Sequence, residues 1–340
     1  MPINMNVDLS SALEQNGRIA QWAEAVTYNG MNLSAEDTII SEAMDAFIRE
    51  TIGRTGYDAN HEISALITKA LTPDVVETPT ELLDAMFDNA GTIGEFDAIR
   101  WEAEPKNTIQ VFDAIAGGNV NRSYIDFSYM KGHRCELQAE TEVSLQEIRR
   151  GGYRTIATLT QYIRDALEQK KLAKVLSVLD GIVVDGAANY INESGNTPTE
   201  ASMDALSLYL MDVATGDGDL IAFGQNRYMQ PVAGFDKAVK YATDADRNWY
   251  NQHGLRTEYA GVKLLGFSGV KRMADGNLVV PNGVVFGAAG KIGKMATRGE
   301  TRVLQETDIN SEKIHIKVNG YAFDFAVANP DKVAKVVMGA

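Results

Sequence analysis

An α+β chain made of several parts is what the sequence predicts, and three observations predict it. Apolar residues follow helical spacing through the first hundred positions. From about residue 100 the period shortens to the two-residue alternation of strands. After the linker-like run Asn192-Glu-Ser-Gly-Asn-Thr-Pro198, helix and strand patterns alternate, and the chain closes on its clearest strand signal. At 340 residues it exceeds what one hydrophobic core usually serves, so two lobes plus an extension are expected.

Residues 1–100 read as an arm of short helices. Ser34-x-x-Asp37 has the form of a capping box, with Ser34 accepting from the third backbone N–H. Ile39, Ile40, Ala43, Phe47 and Ile48 then keep helical spacing until Gly53 stops the run. Thr80 heads another helix with Leu82, Leu83, Met86 and Phe87 on one face. Ile63, Leu66 and Ile67 mark a third between them, set apart by Pro73 and Pro79. Short helices joined by loops suit an arm laid over another surface better than a compact bundle.

Ile109, Val111 and Ile115 precede the turn signal Gly117-Gly118, within a segment 101–119 that opens the first lobe. Residues 120–150 read as an extended hairpin. Tyr124, Ile125, Phe127 and Tyr129 are strand formers, Lys131-Gly132-His133 reads as the turn, and Leu137, Ala139, Thr141, Val143 and Leu145 alternate on the return. Arms of about ten residues make a hairpin on the order of 30 Å long. Such a ribbon is marginal alone in water, and its edges invite pairing. A neighbouring copy of the chain is the economical cover, and Tyr124, Phe127, Tyr129, Lys131, His133 and Arg134 are its candidate contact residues.

In the segment 151–196, Tyr153 to Thr160 reads as a short strand feeding a long helix over about 160–190. Ile163, Leu167, Val175, Leu176, Leu179, Ile182 and Val183 lie near one helical face, with Lys170, Lys171 and Lys174 on another. Between 145 and 174 stand seven bases against three acids, so this region is a candidate receiver for the acidic arm. In the lobe 197–290, Met203 to Val213 reads as a helix, and Leu220–Phe223, Val262–Phe267 and Leu278–Val280 as strands. In 291–340, Ile314, Ile316 and Val318 alternate, Asn319-Gly320 makes a turn or bulge, and Tyr321, Phe323, Phe325 and Val327 alternate again.

The net charge of −14 is unevenly placed. Residues 1–100 hold 17 acids and 5 bases, whereas 101–340 hold 29 acids and 27 bases. A chain this acidic is a poor candidate for wrapping phosphates. The single Cys135 excludes an internal disulfide framework. MPINMNVDLSS shows no secretory pattern, and the most apolar long stretch, Val175–Ala188, is broken by Asp180 and Asp185, so no membrane span is expected.

Catalytic signals are absent. The four His, at 61, 133, 253 and 315, are scattered, and His133 with Cys135 is too sparse for a metal site. Gly287-Ala-Ala-Gly290-Lys291-Ile292 fails as a phosphate loop, having Val285 where Gly is needed and Ile292 where Ser or Thr is needed. Gly266-Phe267-Ser268-Gly269 is no nucleophile elbow. No cofactor, no metal and no enzymatic activity are expected.

The order of parts, from acidic helical arm through hairpin, strand, long helix and α/β lobe to closing strands, resembles the Hong Kong 97-type major capsid proteins of tailed bacteriophages over roughly residues 20–337. The stretch from Val111-Phe-Asp-Ala-Ile-Ala-Gly-Gly118 to Arg154-Thr-Ile-Ala157 carries it best. The resemblance implies an extended loop at 120–150 lying over the adjacent subunit and a peripheral lobe with a spine helix at 160–190. It implies an axial lobe at 197–290 gathered around fivefold and sixfold axes, and closing peripheral strands within Lys313–Pro330. It further implies hexamers and pentamers of an icosahedral head around double-stranded DNA held without sequence-specific contacts, assembled in the bacterial cytoplasm. Portal and decoration proteins would be partners. Some members cross-link Lys to Asn between subunits. Lys131 is the only positional candidate here, and no partner or acid matches it. Some members begin with a scaffolding segment. This arm has no long coiled-coil pattern, so a separate scaffolding protein is expected.

Two other readings stand beside this one. An encapsulin-type nanocompartment shares the fold and encloses cargo enzymes, but the long acidic arm favours the phage version. An oligomeric α/β enzyme would have to do without an intact cofactor motif.

Overall fold

The computed structural model describes residues 18–29, 33–53, 81–94, 97, 100–102, 106–107, 125–126, 129–214, 218–240, 243–269, 273, 276–299, 302–308 and 313–339. The chain divides into two compact units. The first comprises Met1–Thr80, Cys135–Lys171 and Thr297–Phe323, and the second Glu81–Arg134, Leu172–Ala296 and Asp324–Ala340.

The helices used below are α1 (Arg18–Glu24), α2 (Ala35–Gly53), α3 (Glu81–Met86), α4 (Leu145–Gly151), α5 (Tyr153–Ile182) and α6 (Glu200–Val213). The strands are β1 (Phe87–Ile93), β2 (Arg100–Glu102), β3 (Lys106–Asn107), β4 (Ile125–Asp126), β5 (Tyr129–Lys131), β6 (His133–Ser144), β7 (Tyr190–Glu193), β8 (Leu220–Gln225), β9 (Glu258–Tyr259), β10 (Val262–Phe267), β11 (Val284–Ala289), β12 (Gly293–Arg298), β13 (Arg302–Asp308), β14 (Lys313–Val327) and β15 (Val333–Met338).

In the first unit, α2 begins and ends where its residues dictate. Ser34 Oγ accepts from Asp37 N at 3.1 Å, and the helix runs to Gly53. Ile40, Met44 and Ile48 are buried, whereas Ile39 is 61% exposed, so the apolar face is narrower than the spacing suggests. Trp22 of α1 is fully buried and donates to Ser41 Oγ at 2.9 Å. The helix expected over residues 63–67 lies outside the described residues.

Tyr153–Thr160 is not a strand; it forms the first two turns of α5. Ile156, Ala157, Thr160 and Gln161 are buried at helical spacing, and Thr160 Oγ1 donates back to Ile156 O at 2.9 Å. The β-branched residues there lower helix propensity, and packing overrides that preference. The spine helix is therefore Tyr153–Ile182, 30 residues long rather than spanning 160–190. At 1.5 Å per residue it is about 45 Å in length. Beyond it, β14 pairs antiparallel with β13, Leu304 facing Lys317 and Glu306 facing His315 in register, and β6 also pairs with β14. Gly320 sits at φ +75 inside a continuous β14, so Asn319-Gly320 is a bulge and not a turn.

The second unit holds a six-stranded sheet in the order β7-β15-β11-β8-β10-β9. Strands β8 and β10 are parallel, while β11 runs antiparallel to both β8 and β15. Both β8 (Leu-Ile-Ala-Phe-Gly-Gln) and β11 (Val-Val-Phe-Gly-Ala-Ala) are buried along nearly their whole length, as strands covered on both faces should be. On one face Leu206 and Leu210 of α6 meet Val285 and Val336, while Phe223 and Phe286 stack with centroids 5.5 Å apart. Leu278–Val280 is not a strand of this sheet. The C-terminal strand β15 lies between β7 and β11, so residues 333–338 complete the sheet of the 197–290 lobe rather than the peripheral strands.

Candidate assembly surfaces

The extended loop is built differently from its expected form. Strand β5 pairs with β2 (Arg100 opposite Lys131, Trp101 opposite Met130, Glu102 opposite Tyr129), and β4 pairs with β3 (Lys106 opposite Asp126, Asn107 opposite Ile125). The outgoing side of the ribbon is thus formed by β2 and β3, and Lys131-Gly132-His133 is its root rather than its tip. Strand β6, expected as the return arm, pairs with β14 instead. Local alternation identifies a strand; only burial of Leu137 and Val143 selects its partner.

The root is anchored. Trp101 packs with Ala296, Ala326 and Ile93, and only 9% of it is exposed. A Cβ on Gly132 would stand 3.2 Å from the Trp101 ring, a tight contact that the glycine avoids. The His133 ring lies 5.4 Å from that of Phe325, with both His133 and Arg134 exposed at the residue level. Tyr129 and Lys131 occupy β5, while Tyr124 and Phe127 lie outside the described residues. Of the six expected contact residues, Lys131, His133 and Arg134 lie at or beside the root of the ribbon.

On the spine helix, Lys170 and Lys174 stand one turn apart, half-buried and exposed respectively. Lys171 turns away, its Nζ 5.5 Å from the Phe323 ring centroid. The arm is held to this helix by other groups. Trp22 and Tyr153 have ring centroids 6.3 Å apart, Asp45 Oδ1 accepts from Tyr153 N at 3.1 Å, and the Tyr28 hydroxyl donates to Asp165 at 2.5 Å. That bond pushes the Tyr28 pKa up to about 12. Sequence reasoning missed these anchors. Rarity was a usable signal: the chain has three Trp, and Trp22 and Trp101 both fix an element to its support.

In the second unit, Asp204 accepts from the Tyr259 hydroxyl at 2.7 Å and pairs with Lys237. Burial opposes its charge, yet these two donors hold its carboxyl below the usual range. The Tyr259 phenol is pushed up by burial and by Asp204. Beside them an open cleft of about 480 Å³ is lined by Lys237, Arg256, Glu258, Tyr259 and Gly261. Among the described residues no group of His, Cys, Asp and Glu is placed to hold a metal, and no helix is long and apolar enough to cross a membrane.

A spine helix beside the strand ladder of one unit, a ribbon rooted at Trp101, and a lobe around a six-stranded sheet define a Hong Kong 97-type capsid fold. The chain is similar over 78% of its length to a chain of Gordonia phage Cozz, covering 88% of that chain with a TM-score of 0.53 at 13% identity. It is similar over 78% to the capsid of the native GTA particle, covering 92% of that chain at TM-score 0.52 and 14% identity. It matches the capsid of the Cyanophage P-SCSP1u over 77%, covering 89% of that chain at TM-score 0.52 and 10% identity. No protein-family model matches the sequence, and no curated protein matches it.

Proposed function

We propose that this chain is a structural major capsid subunit, without catalytic activity, that assembles into the hexamers and pentamers of an icosahedral phage head around double-stranded DNA. The observation that carries this reading is the ribbon of β2–β5 and β3–β4, two short two-stranded sheets that join neither larger sheet. So thin a ribbon needs cover, and a second copy supplies it. Ring-closing contacts between identical chains then build capsomers. The likeness to solved capsids, which spans both units, supports the same reading. A separate scaffolding protein, a portal and decoration proteins are its partners, the virion is its location, and assembly takes place in the host bacterial cytoplasm.

Negative-stain imaging of the purified full-length chain tests this. Uniform closed shells, or rings of five and six, are the expected result. A stable monomer whose 100–131 segment resists protease would overturn it. Shells filled with a host enzyme would move the reading to a nanocompartment.

A further inference from the structure

One corner of this acidic chain carries the opposite charge. In the first unit, Arg149 and Arg150 end α4 and Arg154 begins α5, all three exposed. Helix α2 packs on α4, and its Arg49 side chain is 83% exposed. Among the described residues, neither Arg149 nor Arg150 makes a hydrogen bond or ion pair. Arg154 Nε lies 3.5 Å from the hydroxyl of its neighbour Tyr153, with the Asp45 carboxylate acting on it more weakly. Arg49 lies 3.9 Å from Asp45, whose other oxygen is taken by the Tyr153 N–H.

The positive corner continues along α5. Arg154, Thr158, Tyr162, Ala166 and Lys170 follow each other at four-residue steps, a surface ridge that contains no carboxylate. Tyr162 is 61% exposed in the middle of it. The nearby acids are engaged elsewhere. Asp165 accepts from Tyr28 and from Gln161, Glu168 pairs with Arg164 at 3.5 Å, and Glu147 completes the capping box with Ser144. The dipole at the end of α4 favours cations there, but it does not explain why two arginines stand without a carboxylate. A lone unpaired surface arginine is ordinary; two side by side, flanked by Arg49 and Arg154 at one elbow of a chain with net charge −14, are not.

We propose that this ridge binds the phosphate backbone of nucleic acid without reading sequence. The inference rests on the shell reading for the source of the DNA and goes beyond it by assigning the surface. Guanidinium forks match phosphate oxygens, the Thr158 hydroxyl can donate to one, and the Tyr162 ring offers a stacking face. From Arg154 to Lys170 the helix rises about 24 Å, along which a duplex presents on the order of 14 charges. The ridge holds no Asn or Gln for base edges. An acidic protein segment would satisfy the arginines but leave the exposed ring unused.

The test uses the full-length chain kept unassembled by dilution, with a labelled mixed-sequence 30-base-pair duplex as probe. Affinity is followed by fluorescence anisotropy between about 50 and 200 mM salt, and four phosphate contacts give a log–log slope of roughly −3.6. The triple variant Arg149→Gln, Arg150→Gln, Arg154→Gln should bind at least about tenfold more weakly, with the slope reduced by roughly 2.7. The matching triple Arg→Lys variant should keep the slope. A flat salt dependence in the wild type overturns the proposal, and needs no variant to fold. So does a glutamine variant that binds like the wild type, or polyglutamate that displaces the duplex and binds more tightly. Shells formed by the glutamine variant with duplex binding lost support the ridge. A wild-type chain that binds through these arginines yet never forms shells overturns the shell reading and leaves the ridge standing.

Discussion

Asp45 caps a helix that begins 108 residues later: its Oδ1 accepts the backbone N–H of Tyr153 at 3.1 Å. The first N–H groups of any helix lack partners within it, and here the arm provides one from a distance. Gly152 precedes the helix at φ +56, beside the same carboxylate. Removing the acceptor, Asp45→Ala, should destabilise the chain by about 1 kcal/mol, whereas Asp45→Asn should keep most of the stability. Gly152→Ala should cost more than Asp45→Ala, since it adds backbone strain to a clash with Asp45. Denaturant melts of the three variants check the order.

Trp101 roots the ribbon, so Trp101→Ala should cost about 3 kcal/mol and release strands β2 and β5 from their support. Hydrogen exchange should accelerate in β2 and β5 while β8 and β11 remain protected. Particle formation should fall with it. Unchanged exchange at 100–102 would show that the ribbon does not depend on this anchor.

Gly287 lets α6 approach the sheet. A Cβ there would stand 2.9 Å from Cδ1 of both Leu206 and Leu210. Gly287→Ala should therefore destabilise by about 1–3 kcal/mol through overpacking, and adding Leu210→Val should recover part of the loss. Thermal melts of the single and double variants measure this directly.

Asp204 links acid stability to the second unit. Its carboxyl is held below the ordinary range, so its contribution is present above about pH 4 and lost as the pH falls further. Tyr259 has the opposite sense: its raised pKa means that its contribution is present below about pH 10 and lost above. The stability gap between wild type and Asp204→Asn should be widest between these limits and close toward acid. A gap that stays constant from pH 7 to pH 3 would contradict the assignment.

Much of the architecture was legible in local chemistry. The Ser34 cap, the stop at Gly53, the helix through Met203–Val213, and the strands of Leu220 and Val262 all follow from side chains acting on their own backbone. The loop read at 120–150 was half legible. Ile125–Asp126 and Tyr129–Lys131 are strands as expected, yet their partners are Lys106–Asn107 and Arg100–Glu102, whose mostly polar residues carry little strand signal. Tyr153–Thr160 was misread because Thr and Ile favour strands locally, while burial of Ile156, Ala157 and Thr160 on one helical face outweighs that preference.

By itself the sequence determined the α+β class, the arm helix of Ala35–Gly53, the strands that begin at Leu220, Val262 and Lys313, and the placing of acid in the arm. These depend on composition and on interactions within a few residues, which act whatever the rest of the chain does. Only tertiary structure decided which strands pair, that the last strand enters the middle of the six-stranded sheet, and that four arginines share one elbow. Those outcomes depend on apolar faces finding each other across a hundred residues or more, and one strand's alternation does not name the face that will cover it.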